Sequence, residues 1–307
     1  MAFTTKNIII LLLVVPVVSI LVHQIITINY LAENDKPSKD FGSGLMFDTI
    51  ASRYDLINRV LAMRMDINWR SRMVNVIKER VPSSNAKLLD VATGTADVAL
   101  QLVDTIPSAT IIGVDPSNGM LDVGRTKISD KGLSNQIILK YADARDLSPI
   151  LPTPNVFDGA TMAFGIRNVP EPREIALCQI HNVLKDKGVF CILEFSEPNV
   201  DEFGIMGYMA RFFIRYIVPI IGSVLSGSPK EYLHLQNSIK DFPSPTKFAS
   251  IMENLQCNNS INSNAEGDGT SATESTEGRN YFRVDDIVQM NFGSVQLYVA
   301  TVMKNVK

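Results

Sequence analysis

Cysteine is scarce in this chain: Cys178, Cys191 and Cys257 are the three in 307 residues. None forms a CxxC pair and the number is odd. That pattern argues against a disulfide framework or a zinc site and makes a reducing compartment the default expectation. Cys178 and Cys191 lie in apolar pattern and are expected as small core residues. Basic excess is also missing. Lys and Arg number 29 against 32 Asp and Glu, a net charge of −3, which gives no electrostatic footprint for nucleic acid. A full GxGxxG fingerprint is lacking too, and a pyrophosphate-binding dehydrogenase is disfavoured accordingly. No metal-ligand spacing is present.

What the chain does have is a long apolar run. "NIIILLLVVPVVSILVHQIITINYLA" (7–32) carries no Asp, Glu, Lys or Arg and is long enough to cross a bilayer as one helix. A membrane anchor is the leading reading, a cleaved signal or targeting segment the second, and a buried core helix the least supported. Lys6 alone precedes the run and mixed charges follow it, so the positive-inside rule sets no topology. The run lacks the Arg-rich amphipathic pattern of a mitochondrial presequence. A polar linker occupies 33–44, and one globular domain is expected over 45–307.

Within that domain, "MFDTIASRYDLINRVLAM" (46–63) places Phe47, Ile50, Tyr54, Ile57 and Leu61 at helical spacing. A second helix is expected over "WRSRMVNVIKERV" (69–81). Strands and helices then alternate. "AKLLDVA", "ATIIGVD", "QIILKYAD", "VFDGATMAF" and "VFCILEF" are apolar strands. "TADVALQLVDTI", "SNGMLDVGRTKISDKG" and "PREIALCQIHNVLKDKG" are the helices between them. This order implies an α/β fold with a parallel sheet covered on both faces. Two further strands around "NFG" close the domain. The apolar stretch 203–225 contains Arg211 and Arg215, which disfavours an ordinary spanning helix; a cap over the site or a membrane-surface helix suits it better. "CNNSINSNAEGDGTSATESTEGRN" (257–280) is nearly devoid of apolar residues and is expected to be a disordered insertion.

In open α/β sheets, ligands sit beyond the carboxyl ends of the strands. Four polar signals fall there. "LDVATGTAD" supplies Asp90, Gly94 and Thr95. "GVDPSNGM" supplies Asp115, whose carboxylate suits the two hydroxyls of a ribose. "YADARDL" supplies Asp143, a hydrogen-bond acceptor for an adenine amino group. "AFGIRNV" (163–169) sets Arg167 and Asn168 at the end of a buried strand. Acidic residues at successive strand ends fit S-adenosylmethionine, which offers a ribose, an adenine and an amino-acid group with no phosphate to repel. The reading is a class I S-adenosylmethionine-dependent methyltransferase: Rossmann-like, seven-stranded, with an antiparallel last strand. A strand-end Asp taken alone is more often a helix cap or a solvated turn; it is their succession in order that carries the reading.

Over residues 45–256 and 281–304 the chain resembles the UbiE family of quinone-biosynthesis C-methyltransferases. The similarity is carried by "FDTIASRYDLINRVL", "AFGIRNV", "LEFSEP" and "EYLHLQNSIKDFP". It implies S-adenosylmethionine as cofactor and methylation of a ring carbon on a polyprenylated benzoquinol or naphthoquinol. It also implies cofactor contacts at Thr95, Asp115, Asp143, Ala144 and Ala163. The chain departs from the family pattern at Thr93 and Ala96, where glycines are usual, at Ala163 (serine), Asp66 (histidine) and His234 (tyrosine), and in the insertion.

Methylating carbon requires an electron-rich ring. A quinol hydroxyl ionises near pH ~10, like tyrosine, and a fixed positive charge favours its phenolate. Arg167 stays charged in a dry site, so Arg167 and Asn168 are expected to hold the quinol oxygen. The competing reading pairs Arg167 with Glu194 or Glu171 to brace a loop. Tyr54, Asp55, Tyr232 and His234 are candidates for the base that removes the ring proton, although Asp55 also suits an ion pair with Arg59. Aromatic residues of 203–225 are expected along the isoprenoid tail. Partners are then the polyprenylated quinol and a membrane, with other quinone-biosynthesis enzymes or a second copy as further candidates. The expected location is the matrix side of the mitochondrial inner membrane, or another organelle reached through a signal-type N-terminus. A methyltransferase acting on a sterol or phospholipid, and a non-catalytic scaffold, are the alternatives.

Overall fold

Strand segments rich in Val, Ile, Leu and Phe assemble into one seven-stranded sheet, order β3-β2-β1-β4-β5-β7-β6. The structure, a computed structural model, describes residues 44–257 and 280–304 apart from 83, 152, 227 and 228, plus isolated helical positions 19, 23 and 26. Side chains at Ile50 and 226–233 fall outside the description, as do the expected anchor at 1–32, nearly all of the linker, and the interior of the insertion.

The chain opens with α1 (Gly44–Leu61) and α2 (Met65–Arg80). The alternating core follows: β1 (Lys87–Val91), α3 (Asp97–Thr105), β2 (Thr110–Asp115), α4 (Asn118–Asp130), β3 (Ile137–Tyr141), β4 (Phe157–Ala163), α5 (Glu174–Val183) and β5 (Leu184–Phe195). Next come α6 (Val200–Phe212), a π-helical turn (Phe213–Ile217), α7 (Val218–Ser226), α8 (Pro229–Asp241) and α9 (Pro245–Glu253). The last strands are β6 (Tyr281–Met290) and β7 (Val295–Met303). Strands β1 to β5 are parallel; β7 runs antiparallel to β5, and β6 to β7.

The period-two alternation of the strands divides the core between two faces. Phe190 and Ile192 of β5, with Tyr298 and Ala300 of β7, join Leu177, Ile180 and Phe248 on one face. Cys191 and Leu193, with Leu297 and Val299, join Trp69, Met73, Ile77 and Leu102 on the other. Such two-sided burial is why these strands read as continuous apolar runs. Strand β5 starts at Leu184, where the sequence suggests that the preceding helix continues to Gly188. Sheet pairing, Phe157 to Leu184 and then Gly159 to Val189 across a bulge, takes these residues from the helix.

One expectation is overturned. Cys178 of α5 and Cys257 form a disulfide, with Cα atoms 5.2 Å apart and a sequence separation of 79. The fold brings α9 and α5 onto the same face of the sheet, which no local spacing reveals. Cys191 is the buried free thiol.

Candidate active site

The carboxyl ends of β1, β2 and β4 converge on a cavity of 440 Å³ lined by Gly94, Asp115, Asp143, Ala144, Ala163 and the start of α1. The turn after β1 is tight. Ala92, Gly94 and Ala96 all have left-handed backbones, with φ of 52°, 53° and 67°. A Cβ on Gly94 would meet nothing within 4 Å, so the loop leaves open space there for a ligand. The Gly94 N–H donates to Asp115 Oδ2 at 2.8 Å and the Ser117 N–H to Oδ1 at 2.9 Å. Burial pushes the Asp115 carboxyl up to about 6, against these hydrogen bonds. Burial also works against the charged form of Asp143, but the hydrogen bonds and charge of Arg145 outweigh it and hold the carboxyl below its ordinary value. Two carboxylates and an open glycine loop match a ribose, an adenine and an ammonium group. The cavity volume falls within the usual ligand range of about 300–1,000 Å³.

A second, more apolar cavity of 140 Å³ lies against the first. Phe47, Tyr54, Phe164 and Asn168 line both. Trp69, Phe164 and Phe195 form an edge-to-face and tilted aromatic cluster on its wall, the last two with centroids 4.5 Å apart. Arg167 enters this wall. Its Nη1 donates to Glu194 Oε1 at 2.6 Å and to the Phe164 carbonyl at 3.0 Å, and the guanidinium sits 5.4 Å from the Phe195 ring centroid. The bracing pair with Glu194 is therefore present, and Arg167 lines the cavity as well. Its Nε and the Oδ1 of Asp66 are buried without a hydrogen-bond partner among the described residues. Asn168 Oδ1 lies 3.3 Å from His234 Nε2. Burial and then the Arg167 charge push His234 down to about 4, so its imidazole is neutral at physiological pH. Tyr54 is shifted upward, chiefly by burial.

Three expected site residues turn away from the cavities. Asp55 ion-pairs with Lys127 at 2.8 Å and accepts the Thr95 hydroxyl at 2.6 Å. Arg59, the alternative partner of Asp55, instead reaches Asp66 at 2.6 Å and Asp97 at 2.9 Å. Lys127 and Arg70 complete this network, which ties α1, α2, α3 and α4 together. Asp55 is thus occupied as a tie, and the Thr95 side chain faces the network rather than the cavity. Asp90 is 1% exposed and accepts from the Thr93 and Thr161 hydroxyls; it shapes the glycine turn from beneath. Tyr232 falls where side chains lie outside the described residues. Residues that sequence reasoning missed include Asp48, which accepts from Ser117 Oγ at 2.5 Å and the Gly119 N–H at 2.7 Å. This clamps α1 over the cofactor cavity. Nothing in the local spacing of Asp48 marks a partner 69 residues away.

The model of the ubiE/COQ5 methyltransferase family matches residues 36–274. The chain belongs to that family. A demethylmenaquinone methyltransferase of Thermus thermophilus is 36% identical over 67% of this chain and 89% of its own length. The ubiquinone/menaquinone biosynthesis C-methyltransferase UbiE of Geotalea daltonii is 38% identical over 67% and 84%. Among solved structures, a SAM-dependent methyltransferase from Aquifex aeolicus covers 75% of this chain and 89% of its own, at 16% identity and a TM-score of 0.47. The methyltransferase takes S-adenosylmethionine as its donor, and Gly94, Asp115, Asp143 and Ala144 line the cavity that would hold it.

Proposed function

We propose that this methyltransferase transfers a methyl group to a ring carbon of a polyprenylated benzoquinol or naphthoquinol bound in the apolar cavity. The observation that carries this reading is the shared wall. Phe47, Tyr54, Phe164 and Asn168 border both cavities, so a ring in one lies beside a donor in the other. When bound, S-adenosylmethionine supplies an electrophilic methyl group. The protein contributes position, dryness and charge. Arg167 commits Nη1 to Glu194 and the Phe164 carbonyl, and Nη2 has no acceptor among the described residues. It is the group that would hold a quinol oxygen as phenolate, which raises the nucleophilicity of the ring carbon. Asn168 would align the same oxygen. Loss of the ring proton restores aromaticity, so a weak base suffices; neutral His234 on the cavity wall fits that step.

The names of the relatives support both quinol classes and do not separate them. The test gives the protein labelled S-adenosylmethionine with a demethylated benzoquinol and, in parallel, a demethylated naphthoquinol. Label on a ring carbon of either is expected and selects the class. No transfer to either, with donor binding intact, would refute the reading and leave a sterol or phospholipid acceptor to be tried. For location, the Cys178–Cys257 disulfide favours a non-reducing compartment reached through a signal-type N-terminus over the mitochondrial matrix. Rapid acid quench and alkylation in cells should find both thiols blocked; free thiols would restore the matrix reading.

A further inference from the structure

The helices that wall the apolar cavity also carry a large apolar surface on their outer side. Met46, Leu61, Met63, Phe213, Ile214 and Val218 face the cavity. From α1, the π turn and the adjoining α6, Ile205, Met209, Phe212, Tyr216 and Leu56 stand in solvent, with Ile205 73% and Leu56 69% exposed. The two parts are joined by a contact between α1 and α7: Ile57 and Leu61 of α1 pack on Val218 and Ile221 of α7. Met63 belongs to both surfaces: it lines the cavity and is 61% exposed, which places it at the mouth. Soluble monomers rarely leave so many large apolar side chains together in water.

Val200–Leu225 is long and apolar enough to cross a membrane by length and composition, but its shape speaks against crossing. Gly204 breaks the helix with φ 51°, ψ −130°, and the π turn follows at Phe213–Ile217. Arg211 and Arg215 bend inward. Arg215 Nη2 pairs with Glu197 at 2.7 Å, and Arg211 donates to the Pro198 carbonyl at 3.0 Å. Their charge is thereby drawn to the protein side, and the outer face stays apolar, with Tyr208 and Tyr216 suited to a headgroup boundary.

We propose that this face of α1, α6 and α7 docks on a lipid bilayer, so that the acceptor ring enters the cavity while its tail remains among the lipids; the second half of that statement rests on the quinol reading above. The occupant is argued from where the chain goes. The apolar run 7–32 ends shortly before Gly44, and α1 begins there with exposed Leu45. Residues 33–43 reach at most about 40 Å when extended, so a run held in a bilayer keeps α1 within that distance of it. A second copy of the chain would cover the same apolar face but gives no role to the apolar run that precedes α1 in the sequence.

The test uses the full chain in phosphatidylcholine vesicles, with an environment-sensitive fluorophore on Met209→Cys and, as control, on Lys131→Cys. Native thiols do not interfere, since two are paired and burial pushes Cys191 up to about 12. Brominated phosphatidylcholine is expected to quench the Met209 site at least twofold and the Lys131 site hardly at all. Equal quenching at both sites, or a shielded Met209 probe that brominated lipid does not quench, would overturn the proposal, the latter in favour of a second copy. A double variant, Ile205→Glu with Met209→Glu, supplies an independent arm. Turnover of a long-tailed quinol in vesicles should fall at least tenfold, with turnover of a short-tailed, water-soluble quinol within twofold of the parent. Equal loss on both, or none on either, would overturn docking. If the parent methylates no quinol at all, the acceptor reading falls and the quenching experiment alone decides the docking.

Discussion

Arg167 and Glu194 sit at the ends of adjacent strands, and their ion pair is almost wholly buried, with side chains 8% and 0% exposed. Removing one partner of such a pair strands the other charge, so a substitution here has a structural consequence beside the proposed catalytic one. Arg167→Ala is expected to lower turnover by ~100-fold or more while S-adenosylmethionine affinity, measured by calorimetry, stays within a few-fold. Unchanged turnover would rule out the phenolate role. Lysine at the same position keeps the charge but loses the planar fork that reaches Glu194 and a ligand together, and should recover only part of the rate. The buried carboxylates give a second prediction at this scale. Burial raises Asp90 and Asp115 from 3.8 to about 6. Between those values the folded chain holds protons that the unfolded chain has released, so folding takes up protons and stability falls as pH rises through that window. Asp90→Asn should flatten the dependence of the denaturant midpoint on pH between 4 and 6. An unaltered slope would mean that the Asp90 carboxyl is not shifted. The strand-end carboxylates were legible as polar residues closing apolar runs; their partners were not. Asp55, Thr95 and Asp90 bond to groups brought in by other segments, and Asp55 does so across 72 positions to Lys127.

Helix α1 is the element that turns a general donor-binding sheet into a two-cavity site. It is amphipathic at helical spacing, which the sequence displays, and it seals both cavities with Phe47 and Tyr54. Its placement depends on close approach and capping. A Cβ on Gly44 would lie 1.9 Å from the Pro116 carbonyl oxygen, so only glycine lets α1 start against the end of β2. Asp48 then bonds the N-terminal turn of α4 through Ser117 and Gly119, where a helix N-terminus favours a carboxylate. Asp48→Ala is expected to lower stability by about 1 kcal/mol and to weaken S-adenosylmethionine binding several-fold, read by equilibrium dialysis. An unaffected donor affinity would show that α1 does not act as the clamp.

For the molecule as a whole, the Cys178–Cys257 bond and the insertion belong together. Cys257 and Asn280 exchange hydrogen bonds, the Cys257 N–H to the Asn280 carbonyl at 3.4 Å and Asn280 Nδ2 to the Cys257 carbonyl at 3.0 Å. The two ends of the insertion therefore lie side by side, and joining them with two glycines in place of 258–279 should leave turnover intact; a large loss would give the insertion a working part. The disulfide closes a long loop and by chain entropy contributes up to roughly 4 kcal/mol. Cys178→Ser should lower the thermal midpoint while leaving kcat unchanged, because neither cysteine lines the donor cavity or the apolar cavity.

By itself the sequence determined the alternation of apolar strands and amphipathic helices, the polar residues at the strand ends and the glycine turn after the first strand. These are local matters: a two-residue or 3.6-residue period, a backbone angle that glycine tolerates, a charge where burial stops. Only the tertiary structure decided which of those polar groups face a ligand. The direction of a loop side chain is set by whichever donor or cation packs beside it, and here those partners, Lys127 for Asp55, Thr161 for Asp90, Glu194 for Arg167 and Cys257 for Cys178, come from segments far along the chain.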